Sequence, residues 1–452
     1  MRRLLIPALL LLTCSACDGL DAFERTNPRD PAGSNFAPNV GSNIQLVLNR
    51  NEVSVRWTES SSREDGFLVE RRRNGGTYQR VARVGANDTT ATDTVRALGT
   101  YTYRVCSLLG DETADCETGT VDLSLYLRLP DIPEEQDRST RWRSVNLDSS
   151  SVLSISLRGR TRRFDFQTWT WTRTASLSSI TRVDKAVRLS DGRVLALGED
   201  EADCDTGFGA VFTPSTNEWG PVHCMKTEGG DTDVRDAVAL EGGGALVVGD
   251  TGDWEPFANV FRGAQFRSVS APAQDGQLTL LPDGRVLSTG RTSALFDPTT
   301  ESWTPADIPS IGVGRLHTAM LGDGRVLIVE SDLGGAERAW TYDPSANTSA
   351  RQPDPPVSFT TVLAFLSQNR VFAGINLRVG ERSRKNPCLQ SYVYHPYIFD
   401  GERGEWQKGT STKVCVDPSV RFPLAVSNRT PVGEGTVLVT SGEAASLVSG
   451  RN

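Results

Sequence analysis

The chain of 452 residues is predicted to be all-β, a small two-sheet sandwich followed by a larger set of repeated antiparallel sheets. Three observations lead to that class. Apolar and polar residues alternate with period two through much of residues 41 to 125. A Leu-x-Asp-Gly-Arg-Val-Leu motif is written three times after residue 125. With 42 Gly and 23 Pro, 38 % hydrophobic and 23 % charged residues, the composition is that of a globular, turn-rich chain and argues against long helices. The length corresponds to roughly three units of ~150 residues.

Taken in order, the chain opens with a positive Met1-Arg2-Arg3 and an apolar run from Leu4 to Thr13. That run is too short to cross ~30 Å of hydrocarbon and reads as an export signal. It ends in Ser15-Ala16-Cys17, which resembles the lipobox of bacterial lipoproteins. The resemblance implies cleavage after residue 16 and a diacylated, N-acylated Cys17, with Cys14 as the rival site because the family prefers Leu there. Loss of residues 1–16 takes the net charge from -8 to -10. Acyl chains at ~0.8 kcal/mol per buried CH₂ would hold the protein on a membrane without a spanning helix. Asp18 leaves the choice between inner and outer membrane open, with the outer favoured. In an exported chain the six remaining cysteines are read as disulfides before metal ligands. Residues 17–40 have no periodicity and include Asn27-Pro28-Arg29-Asp30-Pro31, a flexible tether reaching on the order of 25 Å.

Residues 41–125 form the first folded module. Strands are expected at Ile44 to Leu48, Val53 to Trp57, Gly66 to Arg71, Val81 to Val84 and Tyr101 to Val105, about seven in all, which suits a sandwich. The segment resembles a fibronectin type III domain: Trp57 stands at the core tryptophan of the second strand, Gly66 opens the third, and Tyr101 matches the tyrosine corner. That resemblance puts Cys106 on the sixth strand and Cys116 on the seventh, where one hairpin allows a disulfide. Trp57 and Tyr101 are expected to pack in the core.

From 126 to 452 repetition dominates. Leu189-Ser-Asp-Gly-Arg-Val-Leu, Leu281-Pro-Asp-Gly-Arg-Val-Leu and Leu321-Gly-Asp-Gly-Arg-Val-Leu each read as a hairpin, with Gly supplying the positive φ of a primed turn. The apolar pair recurs at Val152, Val194, Ala245, Val286, Val326, Val371 and Val437, giving seven copies. A second landmark marks another hairpin in most: Phe166 then Trp171, Phe212 then Trp219, Phe296-Asp297-Pro298 then Trp303, Tyr342-Asp343-Pro344, and Phe399-Asp400-Gly401 then Trp406. Two hairpins make one four-stranded sheet, which must stack on its neighbours to cover both faces. The repeats resemble bacterial kelch repeats, and Arg315-Leu-His317-Thr-Ala319 resembles the family's start of repeat, which implies a seven-bladed kelch-like β-propeller. The last copy ends one strand short. Leu127 to Pro133 echoes Trp303 to Pro309, so residues 125–130 are expected to supply the missing outer strand.

In such a propeller, Cys204 with Cys224 and Cys388 with Cys415 occupy equivalent places in copies two and six and can close as disulfides. The loops they clamp carry opposite charge: Asp203 and Asp205 in copy two, Arg382, Arg384 and Lys385 in copy six. Copy three adds Trp254 within Asp253-Trp-Glu-Pro-Phe257. These are the candidate binding residues.

Catalysis and cofactors find little support. His223, His317 and His395 are too few and too dispersed for the copper site of a galactose-oxidase-like ring, and no metal or other cofactor is expected. Sialidase boxes are absent. A net charge of -8 argues against a nucleic-acid partner. The expected function is a lipid-anchored envelope protein that binds protein or glycan without catalysis. The alternatives are a glycan hydrolase or lyase using a carboxylate pair in the central mouth, and a purely structural envelope component.

Overall fold

The computed structural model describes residues 40–49, 51–59, 64–123, 126–130, 132–133, 142–178, 180–199, 204, 206–228, 230–272, 276–310, 315–331, 337–356, 364–366, 369–379, 391–408, 412–415, 428–433, 436–441 and 444–449. Among these residues every regular element is a β-strand. The described residues fall into two compact units. One contains residues up to 46, 54–93 and 101–121; the other contains 47–53, 94–100 and 122 onward.

The N-terminal strands form two sheets. One has the order β1 (Val40–Asn49), β2 (Glu52–Glu59), β5 (Thr90–Thr94). The other runs β4 (Gln79–Gly85), β3 (Gly66–Arg73), β6 (Thr100–Leu109), β7 (Glu112–Asp122). Alternate residues of these strands are buried, as period-two patterning requires. Trp57 and Phe67 meet with ring centres 5.4 Å apart, and Tyr101, Tyr103 and Val105 are buried. The Tyr103 hydroxyl donates to Asp93 at 2.7 Å, and Arg71 pairs with the same carboxylate at 2.6 Å. Burial, with that hydrogen bond, holds the phenol in its neutral form. Gly66 is required by close approach, since a Cβ there would lie 2.3 Å from the Val84 carbonyl oxygen. Cys106 and Cys116 are joined as a disulfide.

After β8 (Tyr126–Arg128) come the repeated sheets. Sheet one holds β9 (Trp142–Asn146), β10 (Ser151–Ser156), β11 (Thr161–Asp165) and β12 (Thr170–Arg173). Sheet two holds β13 (Arg182–Arg188), β14 (Val194–Glu199), β15 (Gly207–Thr213) and β16 (Glu218–Cys224). Sheet three holds β17 (Thr232–Leu240), β18 (Gly244–Thr251), β19 (Pro256–Arg262) and β20 (Gln265–Val269). Sheet four holds β21 (Gln277–Leu280), β22 (Val286–Thr289), β23 (Ala294–Asp297) and β24 (Ser302–Pro305). Sheet five holds β25 (Arg315–Met320), β26 (Val326–Ser331), β27 (Glu337–Asp343) and β28 (Thr348–Gln352). Sheet six holds β29 (Ala364–Leu366), β30 (Arg370–Val379), β31 (Ser391–Asp400) and β32 (Glu405–Lys408), with β33 (Thr412–Cys415) also paired to β31. The final sheet is β34 (Asn428–Gly433), β35 (Thr436–Ser441), β36 (Ala444–Ser449) and, as its fourth member, β8. Leu127 stands opposite Leu447 in that last pairing.

All these pairings are antiparallel and the sheets are consistent with a β-propeller. First strands neighbour first strands: β9 packs beside β13, β13 beside β17, β17 beside β21, β21 beside β25, β25 beside β29, and β34 beside β9. Among the described residues, sheets two to five each bury both faces against their neighbours. In sheet two Val194, Ala196 and Phe212 join the cluster with Leu153 and Ile155 of sheet one, while Leu195, Leu197 and Val211 join that of Val247 and Phe261 in sheet three. Second strands therefore bury consecutive residues, as in β14 and β18, rather than alternate ones.

The landmarks of the sequence are one cross-strand stack, repeated. Val194, Phe212 and Trp219 lie opposite one another across β14, β15 and β16; so do Val286, Phe296 and Trp303, and Val371, Phe399 and Trp406. The ring centres of the aromatic pairs lie 5.2, 5.0 and 5.0 Å apart. In sheet one the register selects Phe164, opposite Val152 and Trp171, and not Phe166, which lies beyond the end of β11. In sheet three Phe261 and Phe266 fill the same places, 4.9 Å apart. The stack also ties sheet to sheet. Trp219 Nε1 donates to the Ala175 carbonyl at 2.9 Å, Trp303 to Ser270 at 2.7 Å and Trp406 to Pro353 at 2.8 Å, each acceptor lying just past the outer strand of the preceding sheet. Trp171 reaches Pro130 at 2.9 Å, just past β8, which thus behaves as the outer strand preceding sheet one.

The Asp-Gly-Arg turns differ from the primed turn that the sequence suggests. Only the glycines adopt positive φ, 87° at Gly192, 86° at Gly284 and 87° at Gly324. Each closes a three-residue loop in which the Leu N–H donates to the Arg carbonyl, as from Leu281 to Arg285 at 2.8 Å. The Asp holds its Arg (Asp283 to Arg285 Nε, 2.8 Å), and the Arg fork reaches the next sheet, Arg285 to the Pro344 carbonyl at 2.9 Å and Arg325 to that of Gly401 at 2.6 Å. In the third-to-fourth turns Asp297 caps the Thr299 N–H at 2.7 Å, which lowers its pKa.

Removal of the ring in the stack, Phe296→Ala, is expected to cost about 3–5 kcal/mol. Trp303→Phe, which removes mainly the tie to Ser270, is expected to cost about 1 kcal/mol. Equilibrium urea unfolding of the two variants measures both.

Candidate functional site

In every repeated sheet, antiparallel order puts the second-to-third connection at the same end as the link to the next sheet. In sheets two and three that end is rigidly built. Cys204, in the loop between β14 and β15, is disulfide-bonded to Cys224. Cys224 is the last residue of β16 and lies opposite Phe208; the fourth strand runs through it rather than ending short of it. The link that follows is clamped by fully buried Asn259, whose amide exchanges two 3.0 Å hydrogen bonds with the Lys226 backbone. A groove of about 660 Å³ runs beside it, lined by Ser176, Ser178, Glu218, Trp219, Pro221 and the disulfide.

Trp254 occupies the tip of the β18–β19 hairpin. Its N–H donates to Thr251 at 2.9 Å, its φ is +64°, and 69 % of its surface is exposed. A large, mostly exposed side chain in left-handed backbone is an uncommon combination for a residue other than glycine or asparagine. Asp253 and Glu255 on either side of Trp254 are exposed.

Beneath these loops the first strands are zipped by ion pairs that the sequence does not announce. Both β13 and β17 carry a β-bulge, between Val183 and Lys185 and between Val234 and Asp236. Charges at equivalent positions are opposite: Arg182 faces Asp233 at 3.7 Å, and Lys185 pairs with Asp236 at 2.9 Å. Arg182 also holds Asp184 at 2.7 Å and Glu199 at 3.6 Å. Arg235 holds Asp250 at 2.7 Å and Asp233 at 3.5 Å, and Asp250 begins the segment that carries Trp254. Arg143 Nε donates to the Asp184 carbonyl, and the Leu278 N–H to Asp236 at 2.8 Å, so the network spans the first strands of sheets one to four. Burial pushes the Asp184 carboxyl up to about 6, with Arg182 opposing and Asp233 reinforcing the shift. Each carboxylate here has a cation beside it.

Of the residues nominated from sequence, Trp254 is exposed and the disulfides Cys106–Cys116 and Cys204–Cys224 are present. Asp203, Asp205, Arg382, Arg384, Lys385, Cys388, Cys14 and Cys17 lie outside the described residues, as do the side chains of Cys415 and His395. His317 pairs with Val329 in β25 and His223 lies 6.2 Å from the Phe261 ring in β16.

No protein-family model matches the chain, and no curated protein matches it. Among solved structures it is similar to YCF48 bound to D1 peptide, with 13 % identity, TM-score 0.43, and 72 % of this chain and 95 % of that one covered. It is also similar to two proteins from Bacteroides thetaiotaomicron. One is a structural genomics protein of unknown function (11 % identity, TM-score 0.38, 91 % and 98 % covered) and the other an auxiliary nutrient binding protein (9 % identity, TM-score 0.37, 91 % and 94 % covered).

A raised carboxylate pKa favours the folded state only while the group is protonated, so the stability Asp184 contributes is full below its unfolded value of 3.8 and is lost as the pH rises through about 6. Asp184→Asn removes that dependence. The melting temperature of the parent minus that of the variant is expected to fall as the pH goes from about 4 to about 7; a difference that stays flat contradicts the assignment.

Proposed function

We propose that the protein is an exported, lipid-anchored component of a bacterial envelope, at the outer membrane, that binds protein or glycan without catalysing a reaction. In this reading Cys17 carries the acyl chains, residues 41–125 are a fibronectin type III sandwich, and residues 126–452 are a seven-bladed kelch-like propeller whose loop end is the binding face. Trp254 carries the reading. An exposed indole held at positive φ on a tight hairpin suits contact with a ligand.

The ion-paired carboxylates of the first strands favour a structural role over hydrolysis. Glycoside cleavage by a carboxylate pair needs one free base or nucleophile, whereas Asp184, Glu199, Asp233 and Asp250 each face an arginine. Opposed charges in a fixed network suit recognition of polar groups and a defined loop geometry. The two disulfides fit an oxidising compartment, as export by a lipoprotein signal entails.

A pull-down and a glycan array with the chain lacking residues 1–40 test this function. Retention of a protein or glycan is expected, with a loss of at least about tenfold in affinity for Trp254→Ala and no change in melting temperature. Turnover of a glycan, without retention of any ligand, would contradict it and favour the hydrolase.

A further inference from the structure

The outward face of the sheet β4-β3-β6-β7 carries a cluster of arginines that the proposed function leaves unused. Register places Glu70 opposite Arg80 on one side and Arg104 on the other, with Arg72 two residues further along β3 and Arg83 opposite Leu68. The alternate residues Phe67, Val69, Tyr103 and Val105 are buried, so the arginine row is the solvent row. Tyr78, just before β4, supports two of these side chains: the guanidinium carbon of Arg104 lies 4.0 Å from its ring centre and that of Arg72 lies 4.9 Å away. Glu70 fixes Arg104 from the side, accepting its Nε–H at 2.6 Å. Neither Arg72 nor Arg80 has a carboxylate partner among the described residues, and Arg80 is exposed. Arg83 pairs with Asp111 at 2.9 Å, itself almost fully exposed.

A guanidinium stacked on an aromatic ring keeps its N–H edge for an acceptor and has already given up much of its rotamer freedom. Two such groups over one phenol form a preorganised receptor for oxyanions. The chain as a whole has the opposite sign, with a net charge of -8. A row of positive charge on an acidic molecule orients it: this face is drawn to an anionic surface while the remainder is repelled.

We propose that this arginine face docks on the anionic phospholipid headgroups of the membrane to which the chain is tethered, the guanidiniums of Arg72, Arg80 and Arg104 engaging phosphate oxygens. The geometry rests on the lipid-anchor reading, in which some 22 residues separate Cys17 from Val40. The flexible tether expected from the sequence would reach on the order of 25 Å, which keeps the first module within reach of the headgroups in that reading. An extended array of guanidiniums on a sheet face suits a charged plane, and each arginine near such a surface contributes independently.

The test uses the chain beginning at Asp18, which keeps every described residue and lacks the acylated cysteine. It is sedimented with vesicles of phosphatidylcholine alone and of phosphatidylcholine with about one third phosphatidylglycerol. Binding is expected only to the anionic vesicles, and to fall on the order of tenfold between about 0.05 and 0.5 M salt as screening shortens. Arg72→Ala with Arg104→Ala is expected to weaken it on the order of tenfold, and Arg80→Ala, which has no packing to lose, several-fold with an unchanged melting temperature. Equal binding to neutral vesicles, full binding by the folded variants, or retention on a sulfated polysaccharide column with no vesicle binding each overturns the proposal. Palmitate labelling of the parent against Cys17→Ser tests the anchor separately, since the vesicle assay contains no acylated protein.

Discussion

A sheet whose two faces are both apolar has no stable existence alone, and this constraint organises everything after residue 125. The second strands β10, β14 and β18 carry buried residues on both sides, so such a sheet needs a partner on each flank. A row of such sheets would still leave two apolar ends. The chain removes that difficulty with β8, which precedes the first sheet in sequence and pairs with β36 in the last. Trp171 then finds the Pro130 carbonyl where Trp219, Trp303 and Trp406 find theirs, so the junction between last and first uses the same contact as the others.

The division of labour between the two ends of the sheets follows. At one end the Asp-Gly-Arg loops and the aspartate-capped turns interlock through backbone carbonyls, Arg285 to Pro344 and Arg325 to Gly401. Those residues are committed to holding neighbours together. At the other end the connections are longer and more varied, and they rest on a base of ion pairs across the first strands. A disulfide and Asn259 stiffen that end, where Trp254 is exposed at the tip of its hairpin with a positive φ.

How much of this was legible in the amino acids depended on whether the interaction was local. The second strand of each sheet is readable because Val152, Val194, Ala245, Val286, Val326 and Val371 stand at fixed places in short motifs, and all are fully buried. The third-strand aromatic is nearly as readable, but Phe164 and Phe166 share one face by period, and only the position of the turn after Asp165 selects the first. The turn type was misread because Asp-Gly is compatible with both a primed turn and a loop closed by glycine alone. The ion-pair network had a faint signal: Arg-Val-Asp-Lys from 182 and Asp-Val-Arg-Asp from 233 are equivalent segments of opposite charge order. Their significance lies in the bulges that align them across sheets, and a bulge leaves little mark on sequence. The stacked arginines over Tyr78 depend on diagonal contacts across three strands, which no linear pattern records.

The central claim is that the beginning of the repeated region completes its end, and a designed crosslink tests it most directly. Leu127 and Leu447 are direct cross-strand partners, so the double variant Leu127→Cys, Leu447→Cys should form a disulfide on mild oxidation. Mapping by mass spectrometry after digestion is expected to find the 127–447 linkage in the folded protein and to lose it when the chain is oxidised in denaturant. Two free thiols at these positions in the folded, oxidised protein would mean that β8 is not the outer strand of the last sheet, and the closed arrangement would fall with it.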